Sequence, residues 1–268
     1  MIGIVIIVLI AFGFYFTRPK TVGNTTPGEN EILVNNIILA DKVAYFKSLN
    51  KQQQQQFEKE ITEFLSYVKI TGVNTTVEGI DRVFVAASAV IPVFAFPEWK
   101  YYNLKEVLLY ADTFNTDFKT EGGERNILGM VGTGYMEGKM LLSKAALELG
   151  FKNDSDKNNT AIHEFVHLID KTDGDTDGIP SVLLLKQYTI PWLDMMYQQI
   201  QEILKNKSDI NPYGSTNKSE FFAVVSEYFF ERPDLLQKKH PELYALLQQL
   251  FKQDPATQLQ EHKKNETL

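Results

Sequence analysis

The stretch Ala161-Ile162-His163-Glu164-Phe165-Val166-His167-Leu168-Ile169 decides how the rest of the chain is read. Its apolar setting continues as a helix, on which residues four apart return to nearly the same angular position. His163 and His167 therefore project side by side, at a separation that one Zn2+ can bridge. Glu164 is rotated by one residue step. That places its carboxylate beside the ion's open coordination position, where it can take a proton from water and later deliver it to a leaving amine. The chain has only 4 histidines, so this spacing with a glutamate inside it is hard to reach by chance. Two imidazoles on an apolar helix face without a metal would each need another polar partner.

A catalytic zinc generally has three protein ligands, so a third is sought downstream. His240 lies in a Pro-interrupted region and His262 in a polar tail. Glu220 is the better candidate. It falls in Asn217-Lys218-Ser219-Glu220-Phe221-Phe222-Ala223-Val224-Val225-Ser226-Glu227, which opens with a helix N-terminal signal and runs on as an apolar helix through Phe230. Glu220 and Glu227 are seven residues apart, hence on one helix face. A carboxylate pair facing the core requires a charge partner, which a metal and its histidines would supply.

With these motifs in place, the sequence resembles the Mlc titration factor A-like, glucose-regulated zinc metallopeptidases, within the zincin superfamily. The resemblance covers nearly all of the chain after the first thirty residues. It is carried by His163-Glu164-Phe165-Val166-His167-Leu168-Ile169-Asp170, Asp173-Gly174-Asp175-Thr176-Asp177-Gly178-Ile179-Pro180, Tyr213-Gly214, Ser219 to Val224, Ser226 to Phe230, Phe251 and Asp254-Pro255. It implies Glu220 as third zinc ligand, in agreement with the reading above. The Tyr213 to Glu220 spacing is also similar to the catalytic end of anthrax toxin lethal factor, which implies Tyr213 as a stabiliser of the oxyanion, since a phenol can donate a hydrogen bond there. Thermolysin-like enzymes orient a ligand histidine with an Asp four residues after the ligand Glu. Here that position is Val224, so the supporting carboxylate is expected from Asp170 or Glu227. The resemblance leans towards small aminopeptidase-type substrates, with exo- and endopeptidase both open. It also implies a rival reading, a regulatory protein that sequesters a partner such as a transcriptional repressor. Intact catalytic residues argue for the enzyme, because a binder has no need to keep Glu164.

A chain of 268 residues with 44% hydrophobic content suits one large domain. Its net charge of -7 gives no basic surface for a phosphate backbone, so nucleic acid is not an expected partner. The absence of cysteine removes disulfides, thiolate metal sites and a cysteine nucleophile together. Met1 to Phe16 is an apolar run ended by Thr17-Arg18-Pro19-Lys20. With no basic residue before it and no small-x-small cleavage site after it, residues 1–17 read as a single-pass membrane anchor rather than a cleaved signal. The basic residues behind it orient the remainder to the cytoplasm. Residues 18–30 are expected to be a tether, 31–256 the folded domain, and 257–268 a polar tail.

Within the domain, apolar spacing over Asp41–Lys69 predicts two helices, and Asp81–Pro92 fits a helix or a strand equally. Glu106–Tyr110 and Lys139–Ser143 read as strands. Between them, Glu121–Gly138 holds six glycines and reads as a turn-rich connection. Met140–Ser143 is either the sheet edge that pairs with an extended substrate or an internal strand. Asp173-x-Asp175-x-Asp177-Gly178 starts like a calcium loop, but its twelfth position is Leu184 and Pro180 interrupts it, so it is read as structural. The expected whole is an α+β zincin-like domain in which the helix of His163 and His167 packs on the helix of Glu220, with a small sheet to one side. It would hydrolyse peptide bonds with one Zn2+.

Overall fold

The computed structural model describes residues 29–115, 127–153 and 156–266. The expected membrane segment, 1–17, and all but the last two residues of the expected tether lie outside them. Among the described residues, no helix is long and apolar enough to cross a membrane.

Helix α1 (Glu29–Lys42) precedes the two helices that spacing predicts, α2 (Ala44–Ser48) and α3 (Lys51–Tyr67). The break between them falls at Asn50 because its side chain accepts the Gln53 N–H while the Gln53 side chain accepts the Asn50 N–H. This reciprocal cap makes the polar tract Lys51–Gln56 the opening of α3. The ambiguous stretch is helix α4 (Gly79–Val90), buried along its whole length from Val83. A helix apolar on all sides belongs in the interior. Its one buried hydroxyl, Ser88, returns a hydrogen bond to the Phe84 carbonyl at 2.9 Å.

Strands β1 (Lys69–Val73), β2 (Glu106–Tyr110), β3 (Gly129–Val131) and β4 (Lys139–Ser143) form one mixed sheet in the order β1-β2-β4-β3. The first three in that order run parallel, and β3 is antiparallel to β4. One expectation is corrected here, and one open alternative is decided. The glycine-rich stretch 121–138 contains β3, which too few side chains mark as a strand. Of the two readings of Met140–Ser143, the internal strand is the one found: β4 is paired on both sides, and the edges of the sheet are β1 and β3. Alternation assigns the faces: Val107, Leu109, Met140 and Leu142 join the main core, while Tyr110, Leu141 and Phe114 make a smaller cluster on the other side.

The remaining helices are α5 (Lys144–Lys152), α6 (Thr160–Asp170), α7 (Thr189–Leu204), α8 (Lys218–Glu231), α9 (Pro233–Lys239), α10 (Pro241–Phe251) and α11 (Pro255–Glu266). Proline in the first turn marks where α9 and α10 begin. Helix α11 runs through most of the segment read as a polar tail. Helix α6 packs between α8 and strand β3, as the α+β expectation requires. Behind α8 an aromatic layer fixes its position: the rings of Phe222 and Phe251 stack at 6.0 Å, and Phe229 stacks on Phe251 at 5.6 Å.

Candidate metal centre

Helix α6 starts where the Asn159 side chain accepts the Ile162 N–H at 3.1 Å. Ala161, Phe165, Val166 and Ile169 are buried in the core, which leaves His163 and His167 directed at the start of α8, their ring centroids 4.7 Å apart. Helix α8 starts at Asn217, whose side chain accepts the Glu220 N–H at 2.9 Å and sets Glu220 in the first turn. The result is a triangle of donor atoms. His163 Nε2 lies 3.0 Å from His167 Nε2 and 3.0 Å from Glu220 Oε2, and His167 Nε2 lies 3.4 Å from the same oxygen. A small ion bound tetrahedrally at about 2.0–2.1 Å sets its ligand atoms about 3.3 Å apart. The three edges fall within about 0.3 Å of that spacing, so the donor set fits a small metal ion. Among the described residues, these three form a cluster whose donor atoms lie within 4.8 Å of one another.

The far sides of both imidazoles are held. His163 Nδ1 is 2.7 Å from Glu227 Oε1, while Glu227 Oε2 accepts the Asn159 N–H at 2.6 Å. Nδ1 is taken up by Glu227, which turns Nε2 towards Glu220 and His167, the side on which a metal would be held. His167 Nδ1 is 3.0 Å from Ser219 Oγ, and that hydroxyl donates to Asp170 Oδ2 at 3.0 Å. Ser219 thus accepts from His167 and passes its own proton towards Asp170. Both carboxylates proposed from sequence are brought to the site, Glu227 directly and Asp170 through a serine that the sequence reading missed.

Asp170 also accepts the Gly178 N–H at 2.9 Å. Gly178 has φ +77°, and a Cβ there would lie 2.3 Å from the Lys218 carbonyl oxygen, so glycine is needed for the loop to lie against the start of α8. The acidic run before it is used locally. Asp173 accepts from Ser181, and Asp177 accepts the Ile179 N–H. The structural reading of that loop agrees with these bonds.

Burial and charge set the protonation of the metal-free site. Burial opposes a charged His163, but hydrogen bonds to Glu220 and Glu227 outweigh it and raise its pKa to about 10. Burial likewise opposes an ionised Glu220, and hydrogen bonds from His163 and His167 still hold it down to about 2. For Asp170 burial dominates over the Gly178 and Ser219 hydrogen bonds, and its pKa rises to about 6. Burial also raises Glu164, against the pull of His163 and His167.

Glu164 is 6% exposed and lies against the backbone of β3. A Cβ added to Gly129 would come within 2.7 Å of its Cγ and 2.8 Å of its Oε1. Glycine at 129 therefore makes room for this carboxylate beside the edge strand. Tyr213 follows Asn211, whose side chain accepts the Tyr213 N–H at 3.0 Å. Its ring lies 6.0 Å from that of His163, and it is 53% exposed at the mouth of the site. Its hydroxyl pKa is raised by burial, then by the charges of Glu220 and Glu164. The other histidines stay away: His240 Nε2 bonds Asp209 at 2.8 Å, and His262 is on α11.

Comparison with known proteins adds to this geometry. The sequence profile described as glucose-regulated metallo-peptidase M90 matches residues 31–252. An uncharacterised protein of Synechocystis is 30% identical over 229 residues, covering 81% of this chain and 83% of its own length. Mlc titration factor A of Pectobacterium atrosepticum is 27% identical over 189 residues, with 65% and 69% covered. The protein of the same name from Escherichia coli is 25% identical over 241 residues, with 82% and 85% covered.

Proposed function

The chain belongs to the glucose-regulated metallo-peptidase M90 family, and from that premise we propose that it is a zinc-dependent peptidase of zincin-like architecture. His163, His167 and Glu220 would hold one Zn2+, and the single observation that supports this most is the donor triangle with edges of 3.0, 3.0 and 3.4 Å. When bound, the ion supplies Lewis acidity at the cleft. The remaining chemistry belongs to the chain. Glu164 takes a proton from the water that attacks the scissile carbonyl carbon, and returns it to the nitrogen as the C–N bond breaks. Its raised pKa suits a group that must both accept and release that proton. Tyr213 donates its hydroxyl hydrogen to the oxygen that gains charge during attack. Glu227, and Asp170 through Ser219, keep both imidazoles turned with Nε2 inward. An extended substrate pairs with the edge strand β3 in this reading.

The test is cleavage of a peptide library by the purified chain, with metal analysis alongside. Cleavage that stops on chelation and returns with zinc is the expected result, and metal-independent cleavage would refute the zinc assignment. A second reading is favoured by the name of the relatives: capture of a protein partner, such as Mlc. Binding of purified Mlc by a catalytically dead chain, without any peptide cleavage by the intact one, would favour it. For residues 1–17 we propose a membrane anchor with the peptidase domain on the cytoplasmic side. Flotation with vesicles by the full chain, lost on deletion of residues 2–20, is the corresponding check.

A further inference from the structure

Helix α7 is apolar on two opposite sides. Trp192, Met195, Met196 and Ile203 are buried against the domain, and the Trp192 indole N–H fixes the helix by donating to the Gly178 carbonyl at 2.8 Å. At about 100° per residue, Ile190, Asp194, Tyr197, Gln201 and Leu204 fall within one arc of about 80° on the side away from that contact. Ile190 is 71%, Tyr197 69% and Leu204 59% exposed, so the three apolar side chains of this arc lie in water. A surface helix ordinarily turns one apolar stripe inward. A second stripe on the outer side, with exposed Leu185 just ahead of the helix, marks an interaction surface.

The five residues of the arc form two rows. Ile190, Tyr197 and Leu204 follow one another at seven-residue steps, and Asp194 and Gln201 make a second row about 40° further round the helix. A two-fold axis at the level of Tyr197 that sets two copies of α7 antiparallel lays each row on its like. Tyr197 then faces its counterpart, Ile190 meets Leu204 of the second copy, and the Gln201 amide donates to the Asp194 carboxylate across the pair. A parallel pair would instead lay the apolar row on the polar one and bring two Asp194 carboxylates to the same level, where like charges repel. We propose that α7 is the interface of an antiparallel, two-fold symmetric pair of this chain. The same patch serves both copies, as in the commonest homodimers. A contact between helices of about 24 Å is at the small end of interfaces, so association is on the order of micromolar. The inference rests on α7 alone and holds whether or not the chain is a peptidase.

The chain has no cysteine, so single cysteines report the geometry. The full chain in mild detergent, carrying Ile190→Cys, Tyr197→Cys or Leu204→Cys, is treated with a short bismaleimide. Tyr197→Cys sits on the axis and should couple to itself. Ile190→Cys and Leu204→Cys each lie about 21 Å along the helix from their own counterparts, so they should couple only when the two proteins are mixed. Coupling of every variant alone, as a parallel or random pair would give, overturns the proposal, and so does coupling of none. Sedimentation of the natural chain should show a monomer–dimer equilibrium that Tyr197→Glu weakens by about tenfold or more. Tyr197 is exposed, so the fold should tolerate glutamate, and a melting curve checks this. An equilibrium that Tyr197→Glu leaves unchanged overturns the pair. Two further results would give the stripe to another occupant and also overturn it. One is shielding of Tyr197→Cys from a water-soluble maleimide only once the chain is moved into vesicles of phosphatidylcholine and phosphatidylglycerol. The other is coupling within a single chain of the double variant Val8→Cys, Tyr197→Cys, which would seat the apolar N-terminal run on α7.

Discussion

Glu227 Oε1 lies 2.7 Å from His163 Nδ1, on the opposite side of the ring from the nitrogen that faces Glu220. One helix, α8, thus supplies a carboxylate to each side of one imidazole, seven residues apart. The far one sets the tautomer and leaves the near one to share the metal. Glu227→Gln keeps an acceptor but loses the charge, and groups in such a position are worth about 10–100-fold in metal affinity. Competition against a chromogenic chelator should show a loss in that range with the fold intact. Unchanged affinity would remove Glu227 from the account.

Ser219 plays the same part for His167 through a longer path. Ser219→Ala removes the hydroxyl and separates Asp170 from the imidazole, leaving Asp170 buried with the Gly178 N–H. Zinc affinity should fall by about tenfold or more, and Ser219→Thr, which keeps the hydroxyl, should restore most of it. Equal affinities for the alanine and threonine variants would show that the hydroxyl carries nothing.

Gly129→Ala tests the placement of Glu164 without touching any ligand. The added methyl group meets the Glu164 side chain at 2.7 Å and 2.8 Å and Thr160 Cγ2 at 2.9 Å, so the Glu164 side chain must shift from its place. Turnover should drop by about 10–100-fold with stoichiometric zinc retained, since small misplacements near the chemistry cost that much. An unimpaired alanine variant would mean that Glu164 has room to spare.

Metal binding should depend on pH in a set direction. In the metal-free fold His163 has its pKa raised from 6.5 to about 10. The stability contributed by its proton is fully present below 6.5 and is lost as the pH climbs through about 10. An incoming ion must displace that proton, whereas Glu220, held at about 2, is already ionised. Apparent zinc affinity should therefore strengthen by about tenfold per unit between about pH 7 and about pH 9, with about one proton released per ion. Calorimetry in buffers of different ionisation enthalpy reads the proton count directly, and release of none would contradict the assignment.

The legible parts of the site were those fixed by position along one helix. His163, Glu164 and His167 follow from the i, i+4 return of α6, and Glu220 with Glu227 from two turns of α8. Ser219 carried no such signal. It is an ordinary first-turn residue until the fold brings it to Asp170, 49 residues away in sequence. Strand β3 was hidden for a related reason: its use depends on Gly129 lacking a side chain, and periodicity reads side chains. The identity of the sheet edge was likewise beyond a local pattern, because β4 resembles an edge strand until β2 and β3 are seen on either side of it. The helix α4 was ambiguous because a fully buried segment has no polar face to show its period.

The most direct test of the central claim is the Glu164→Gln variant, assayed for zinc content and peptide cleavage beside the natural chain. The substitution preserves shape and hydrogen bonding near the ligands but removes the proton acceptor. The account predicts one zinc per chain in both proteins and a fall in turnover of about 10²–10⁴-fold in the variant. A variant that holds its zinc and still cleaves at the natural rate would contradict it.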